Sequence, residues 1–346
     1  MSSLMERERR NDRVVRNPSE KILTLQQLTW INQMYGWIGF QEYVERNNPL
    51  HKAALQNIAS ALPYVQQDAW HEFEEIRDIA GLLPTPPKRD VLYDEGLGRS
   101  TLIVATAALA NRLDDMTESA VHVLAHTNNQ FDGDLFEKTF TKGMSAQSGV
   151  GARISYSDLL SSIYIVCSML EIPTEHDTFT SIIQAQKASI DLVNKWTKEG
   201  DMYSVEAAIQ SRRNTVGAYY GILARFATPD ATVQAKIEAH FNEIQIDDDI
   251  ADVEDDIYTQ VNPFVALLYQ EQMLDKYVLE KNQFKSNILI RTLTHVGKNG
   301  PYRGAKASKQ MADTMEVRWI NTFLSSHPPL VQRYNDVFNQ LCPTRS

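Results

Sequence analysis

Seven acidic residues fall within twelve consecutive positions, in the stretch IDDDIADVEDDI at 246–257. If this stretch is helical, Asp248, Asp252 and Asp256 recur at every fourth position and share one face, and Asp249 lies beside it. Carboxylates crowded beside apolar residues are costly unless a cation neutralises them. Mg²⁺ prefers oxygen ligands and often holds phosphate groups as well. The stretch therefore indicates either a solvated acidic face or a magnesium site. The remaining acids are interpreted as surface charge: Asp247, Glu254 and Asp255.

A second acidic cluster ends an apolar helical segment, in NRLDDMTES. Asp114 and Glu118 are four positions apart, and Asp115 and Glu118 are three apart, so all three carboxylates can face one ion. This spacing predicts a further magnesium site.

A rival for that site lies downstream, in HTNNQFDGDLFEKTFTKG, with Asp132, Asp134 and Glu137. Gly133 interrupts this rival cluster, whereas the upstream cluster has two adjacent carboxylates. We therefore prefer the upstream cluster, and the rival stays open.

An arginine pair, Arg212 and Arg213 in IQSRRNTVGAYY, lies between the two acidic regions. The arginine guanidinium presents a rigid fork of donors that suits phosphate oxygens. Two carboxylate clusters and an arginine pair together predict a site for a diphosphate bridged by Mg²⁺.

The elements that must position these residues are helices. Apolar residues recur at helical spacing from about residue 20 onward, and no convincing strand pattern is present. One long helix is predicted over 230–261, ended by Asn262 and Pro263. We expect an all-α fold with a single domain over 19–346, preceded by a flexible Arg-rich tail over 1–18 that either stays disordered or orders over an anionic ligand.

Composition limits the function classes. The formal charge is 34 − 44 = −10, which gives a nucleic-acid role no support. Cys167 and Cys342 lie far apart and form neither a disulfide framework nor a zinc signature, so a reducing cytoplasm is expected. The sequence has no run of 18 apolar residues, so no membrane span is predicted.

With these motifs in order, the chain resembles the class I terpene synthases over about 100–335. Their first motif, DDxx(D/E), matches Asp114, Asp115 and Glu118.

Their second motif, (N/D)Dxx(S/T)xxxE, matches in frame at Asp248, Asp249, Asp252 and Asp256. Asp252 replaces the hydroxyl residue of that motif, and Asp256 replaces its Glu. Both replacements keep an oxygen ligand.

The family also has an arginine that senses the diphosphate and a small effector residue four positions later. Arg213 and Gly217 fit that frame, but the distance to the second motif, 248 − 213 = 35, is short, so Arg212 is a rival. Arg333 and Tyr334 resemble the C-terminal Arg-Tyr pair whose arginine contacts diphosphate and helps to close the site.

The resemblance implies a helical bundle around an apolar cavity, three Mg²⁺ ions with Mn²⁺ as an alternative, and a linear prenyl diphosphate substrate, for which farnesyl diphosphate is the expectation. Ionisation of this substrate and cyclisation of the cation would give a terpene hydrocarbon or alcohol and release diphosphate. A homodimer is also implied. The expected cation-stabilising aromatic residues are Phe131, Tyr219, Tyr220, Phe226 and Trp319.

Two alternatives remain. The rival acidic cluster faintly resembles the first aspartate region of the trans-prenyltransferases, which share the fold and add isopentenyl diphosphate to an allylic diphosphate. The altered second motif also leaves open a helical homologue that has lost the chemistry.

Overall fold

The computed structural model describes residues 49–62, 65, 67–82, 95–126, 131–142, 156–299 and 318–341. Within these residues every regular element is a helix, which confirms the all-α prediction for this part of the chain. The Arg-rich tail over 1–18 lies outside the described residues. No helix in the described ranges is long and apolar enough to cross a membrane. The cytoplasmic location stays a prediction.

The first helices in chain order are α1 (Pro49–Ala61), α2 (Gln67–Ala80), α3 (Glu95–His126), α4 (Gly133–Lys142), α5 (Tyr156–Met169), α6 (His176–Glu199) and α7 (Val205–Arg212). A five-residue π-helix, Arg213–Gly217, joins α7 to the next helix. The later helices are α8 (Ala218–Ala227), α9 (Ala231–Ala251), α10 (Val253–Asp256), α11 (Pro263–Gln270), α12 (Leu274–Asn299), α13 (318–325) and α14 (Pro328–Leu341).

Local sequence signals set several helix ends. Gly200 ends α6 with φ +73°, a conformation that glycine adopts without steric cost. Ser204 begins α7, and its side chain accepts a hydrogen bond from Ala207 N at 3.1 Å. Asn262 begins α11 by accepting the N–H groups of the second and third helical residues at 2.7 and 3.1 Å, with Pro263 in the first turn.

The chain divides into two compact units. The first comprises Met1–Leu113, Asp132–His176 and Leu223–Gln234. In this unit α1 packs against α5, and Asn57 Nδ2 donates to Ser162 Oγ at 3.3 Å. Its core includes fully buried aliphatic side chains from both helices: Ile58, Leu62, Ile163 and Val166.

The second unit comprises Asp114–Phe131, Asp177–Ile222 and Ala235–Ser346. In this unit α11 packs against α7, α12 and α14, and residues 263–268 are all buried. This apolar helix is therefore the common neighbour of the helices that carry the candidate site. The prediction of a single domain over 19–346 stays a prediction.

The long helix predicted over 230–261 is interrupted, so that prediction is wrong in detail. α9 ends at Ala251, and the single turn α10 follows it. Asp252, between them, has φ −98° and ψ 13°, outside the usual helical range. This break lies in the middle of the acidic stretch.

Candidate functional site

Arg212, the last residue of α7, is the centre of a buried group that we call the ion-pair cluster: Arg212, Asp249 and Asp256. An Nη of Arg212 donates to Asp249 Oδ1 and lies 3.9 Å from Asp256 Oδ2. The three side chains are only 11%, 4% and 10% exposed. Gln245 Nε2 donates to the same oxygen of Asp249 at 3.1 Å. Because buried charges require partners, each member of the cluster depends on the others.

Arg212 also lines a small cleft in the second unit that is open to solvent. Asp114, from the first acidic motif, lines the same cleft, and its charge helps to raise the pKa of Arg212. Among the described residues around the cleft none is aromatic. The other lining residues are aliphatic or carry hydroxyl and amide groups: Thr117, Val121, Gln186, Ser189, Ile190, Val193, Ser211, Thr215, Val216, Thr259, Gln260 and Val261.

The Nε–H group of Arg212 is buried and has no hydrogen-bond partner within the described residues. A buried donor without an acceptor costs about 1–3 kcal/mol. The Arg212 guanidinium thus keeps a donor that its pairing with Asp249 does not use.

The electrostatics of the cluster follow from burial and from pairing. Burial lowers the pKa of Arg212, but the carboxylates of Asp249 and Asp256 outweigh it, so the pKa lies above its ordinary value and the guanidinium stays charged. Burial raises the pKa of Asp256 to about 8, against the opposing effect of Arg212. Burial raises the pKa of Asp249 as well, against the opposing effect of Arg212 and of the hydrogen bond from Gln245.

Three buried side chains, which we call the carbonyl cap, hold the end of α9. Asn262, Tyr277 and Lys281 donate, in that order, to the main-chain carbonyl oxygens of residues 249–251. The first two hydrogen bonds measure 2.6 and 2.8 Å. The last carbonyls of a helix have no intrahelical partner, so these donors stabilise a helix end at Ala251. They account for the break that the sequence pattern did not predict.

The four aspartates of the predicted metal motif differ in burial. Asp249 and Asp256 are buried, whereas Asp248 is exposed and Asp252 is half-buried. Asp248 lies in α9 and Asp256 in α10, so the helix predicted to carry Asp248, Asp252 and Asp256 is interrupted at Asp252. Their binding of a metal stays a prediction.

Glu254 also differs from its predicted place. The sequence predicted surface charge, but Glu254 is buried, and its Oε2 lies 2.5 Å from Lys285 Nζ of α12. The carboxylate is thus part of the packing between the acidic stretch and α12.

The two adjacent arginines lie in different surroundings. Arg213 is exposed, and its guanidinium donates to the carbonyl oxygen of Gln340 in α14. Arg212 is thus the arginine that the structure brings to the acidic residues. Gly217 ends the π-helix, and a Cβ added there would lie 3.6 Å from the Arg212 carbonyl oxygen, an ordinary contact.

The C-terminal pair lies on α14. Arg333 Nε is 3.8 Å from Glu271 Oε1, and the Arg333 side chain is 46% exposed. Tyr334 packs edge-on against Phe264 of α11, with ring centroids 5.9 Å apart. The described contacts of both residues are with α11 and the turn after it.

The predicted aromatic residues of the second unit belong mainly to ring clusters. Tyr219 and Tyr220 are buried, and Tyr220 stacks on Phe241 with centroids 4.6 Å apart. Trp319 lies 5.2 Å from a buried ring of α12. Phe131 is half-buried. None of these residues is among the described residues that line the cleft.

The rival acidic cluster lies in the first unit. Asp132 precedes α4 and accepts a hydrogen bond from Leu135 N at 2.9 Å, so it serves as a helix cap. Asp134 is exposed and Glu137 is half-buried. Phe226, another predicted aromatic residue, is fully buried in the same unit.

The carboxylates of the two motifs suit Mg²⁺ by their chemistry, because hard cations prefer oxygen ligands. In the described part of the chain, no three acidic, His or Cys side chains are grouped so that they could hold a metal ion. The side chains of Asp115 and Glu118 lie outside the described part. Asp248 and Asp252 are one turn apart, with Asp252 N donating to the Asp248 carbonyl oxygen at 2.8 Å. Metal binding by either acidic motif therefore stays a prediction.

Sequence reasoning missed the carbonyl cap. Asn262 carries a sequence signal, because Asn followed by Pro is a typical helix start, but that signal does not reveal its contact with α9. Tyr277 and Lys281 sit within an ordinary helical pattern, and nothing local marks them. No protein-family model, curated protein or solved structure matches the chain.

Proposed function

We propose that this protein is a class I terpene synthase with the isoprenoid synthase fold, and that Arg212 binds the substrate diphosphate. One observation carries the proposal: Arg212, paired with the second acidic motif, lines the same cleft as Asp114 of the first motif. Two motifs far apart in sequence thus meet around one arginine. Its unpaired Nε–H group is a donor for a phosphate oxygen.

Of the acidic residues expected to bind Mg²⁺, Asp114 lines the cleft. Asp114, Asp115 and Glu118, with Asp248 and Asp252, would hold Mg²⁺, which neutralises diphosphate charge when it is bound. The aliphatic side chains of the cleft would contact the prenyl chain: Val121, Ile190, Val193 and Val261.

In the proposed reaction the carbon–oxygen bond of the prenyl diphosphate breaks and its electron pair leaves with the diphosphate. Arg212 stabilises the charge that develops on the leaving group. Asp249 fixes the guanidinium in place, so Arg212 needs little reorganisation at that moment. A double bond of the same chain then attacks the allylic cation, and the released diphosphate takes the proton if a hydrocarbon forms.

A second candidate is a helical homologue without the chemistry. The observation that favours it is the engagement of Asp249 and Asp256 by internal partners, since Asn262 Nδ2 donates to Asp256 Oδ2 at 2.8 Å. In that case the cluster would serve folding alone.

Product analysis separates these candidates. The purified protein is incubated with Mg²⁺ and geranyl, farnesyl or geranylgeranyl diphosphate, with and without isopentenyl diphosphate, and products are identified by gas chromatography–mass spectrometry. A cyclic hydrocarbon or alcohol from one diphosphate alone supports the proposal. A longer diphosphate formed only with isopentenyl diphosphate would identify a prenyltransferase, and no turnover of any substrate would favour the homologue without chemistry.

A further inference from the structure

The carbonyl cap contacts the acidic stretch at its break, next to the residues that hold Arg212. We propose that the carbonyl cap is a positioning device for the ion-pair cluster: it ends α9 at Ala251 and thereby directs Asp249 and Asp256 to Arg212. This inference rests on the proposed function, because the ligand that it serves is the diphosphate of that function.

One face of α12 holds both sides of the break. Tyr277, Lys281 and Lys285 recur at every fourth position and therefore share a face. Tyr277 and Lys281 donate to carbonyls before the break, and Lys285 pairs with Glu254 after it. Side chains of α12 thus contact the acidic stretch on both sides of Asp252.

The burial of the cap residues indicates a specific role. Asn262, Tyr277 and Lys281 are each 0% exposed. A fully buried lysine is rare unless its ammonium group has partners. Here the ammonium group meets the C-terminal carbonyls of α9, where the helix dipole favours a positive charge. An apolar side chain would fill the same space but would leave the Ala251 carbonyl oxygen without this donor.

Asn262 links the cap directly to the cluster. Its Nδ2 donates both to the Asp249 carbonyl oxygen and to Asp256 Oδ2, so one amide group joins the end of α9 to the turn after the break. Its Oδ1 accepts the first N–H groups of α11. A change in the carbonyl cap is therefore expected to shift Asp249 and Asp256, the carboxylates that orient Arg212.

Two substitutions on α12 test the role, and a third is their control. Tyr277→Phe removes only the hydroxyl group, and Lys281→Met removes the ammonium group while keeping the length of the side chain. Lys276→Met is the control, because Lys276 is exposed on the same helix and contacts His327 rather than the acidic stretch. Each variant is examined by hydrogen exchange with mass spectrometry over 246–262. Each is also titrated calorimetrically with inorganic pyrophosphate in the presence of Mg²⁺.

We expect amide exchange in Asp252–Asp256 to accelerate about tenfold in both cap variants. Pyrophosphate should bind them about 10- to 100-fold more weakly than the wild type, as is typical when a residue that orients a binding group is lost. Lys276→Met should match the wild type in both measurements. Tyr277→Phe keeps the test decisive if Lys281→Met does not fold.

Unchanged amide exchange over 246–262 in both cap variants would show that these side chains do not stabilise the end of α9. Faster exchange with unchanged pyrophosphate affinity would mean that the carbonyl cap only stabilises the end of α9, and this result would overturn its positioning role. Absence of pyrophosphate binding by the wild type would overturn the proposed function and this role together, and that result is recognised without any variant.

Discussion

Two consecutive arginines have different partners in this protein, and the difference follows from helix geometry. Successive residues of a helix point about 100° apart, so Arg212 and Arg213 cannot serve the same site equally. Arg212 binds Asp249, and Arg213 binds the end of α14. The sequence predicted that one of these two arginines binds the diphosphate. Only the position of α7 in the fold shows which of them contacts the acidic residues.

Asp256 should make stability depend on pH. Its pKa is about 8 in the folded protein against an ordinary value of 3.8, because burial favours the protonated form. A group with a raised pKa contributes its full stability below about 3.8 and loses it as pH rises to about 8. Relative to Asp256→Asn, the wild type should therefore lose up to about 1.4 kcal/mol of unfolding free energy per pH unit in this window.

Urea unfolding of both proteins at pH 5 and pH 8, without divalent metal, measures this difference. The Asn variant cannot ionise at this position, so the comparison isolates Asp256. A stability advantage of Asp256 over Asn that grows with pH would contradict the account, because it would mean that the ionised form is favoured in the fold.

Gly217 should tolerate a methyl group. An added Cβ would meet the nearest atom at an ordinary 3.6 Å, and the residue lies within helical structure. Gly217→Ala should leave the unfolding free energy unchanged or raise it by up to about 1 kcal/mol. Thermal denaturation would check this, and a loss of several kcal/mol would indicate a closer neighbour than the structure describes.

At the scale of elements, the sequence predicted which segments are helical but not where the acidic helix ends. Apolar periodicity and the Asn262–Pro263 pair are local signals, and helices form where they indicate. The break at Asp252 depends on Tyr277 and Lys281, which lie more than twenty positions away and have no local pattern. The predicted long helix is interrupted because tertiary contacts overrode local periodicity.

The start of α7 should be sensitive to its cap, since α7 carries Arg212 at its other end. Ser204→Ala removes the acceptor for the Ala207 N–H group and should cost about 1 kcal/mol of unfolding free energy. Ser204→Asp keeps an acceptor at this position and should stay close to the wild type. Urea denaturation of both variants checks that Ser204 is the N-cap of α7. Equal losses of unfolding free energy in the two variants would refute this assignment.

At the scale of the whole molecule, Arg212 pairs with Asp249 and Asp256 of the second acidic motif and lines a cleft in the second unit together with Asp114 of the first. The sequence indicated those motifs because two carboxylate clusters and an arginine pair occur together in one helical chain. It could not reveal that Asp249 and Asp256 turn inward while Asp248 stays exposed. That arrangement depends on the carbonyl cap, and hence on the fold of the unit.

Activity measurements on Arg212→Gln and Arg213→Gln would show which of the two arginines binds the substrate diphosphate. Conversion of farnesyl diphosphate to product is measured for both variants and the wild type with Mg²⁺, and circular dichroism confirms that each stays helical. The account predicts a loss of about 100-fold or more for Arg212→Gln, because a donor to the leaving group is removed, and a small change for Arg213→Gln. Full activity in folded Arg212→Gln, or a larger loss in Arg213→Gln, would contradict it.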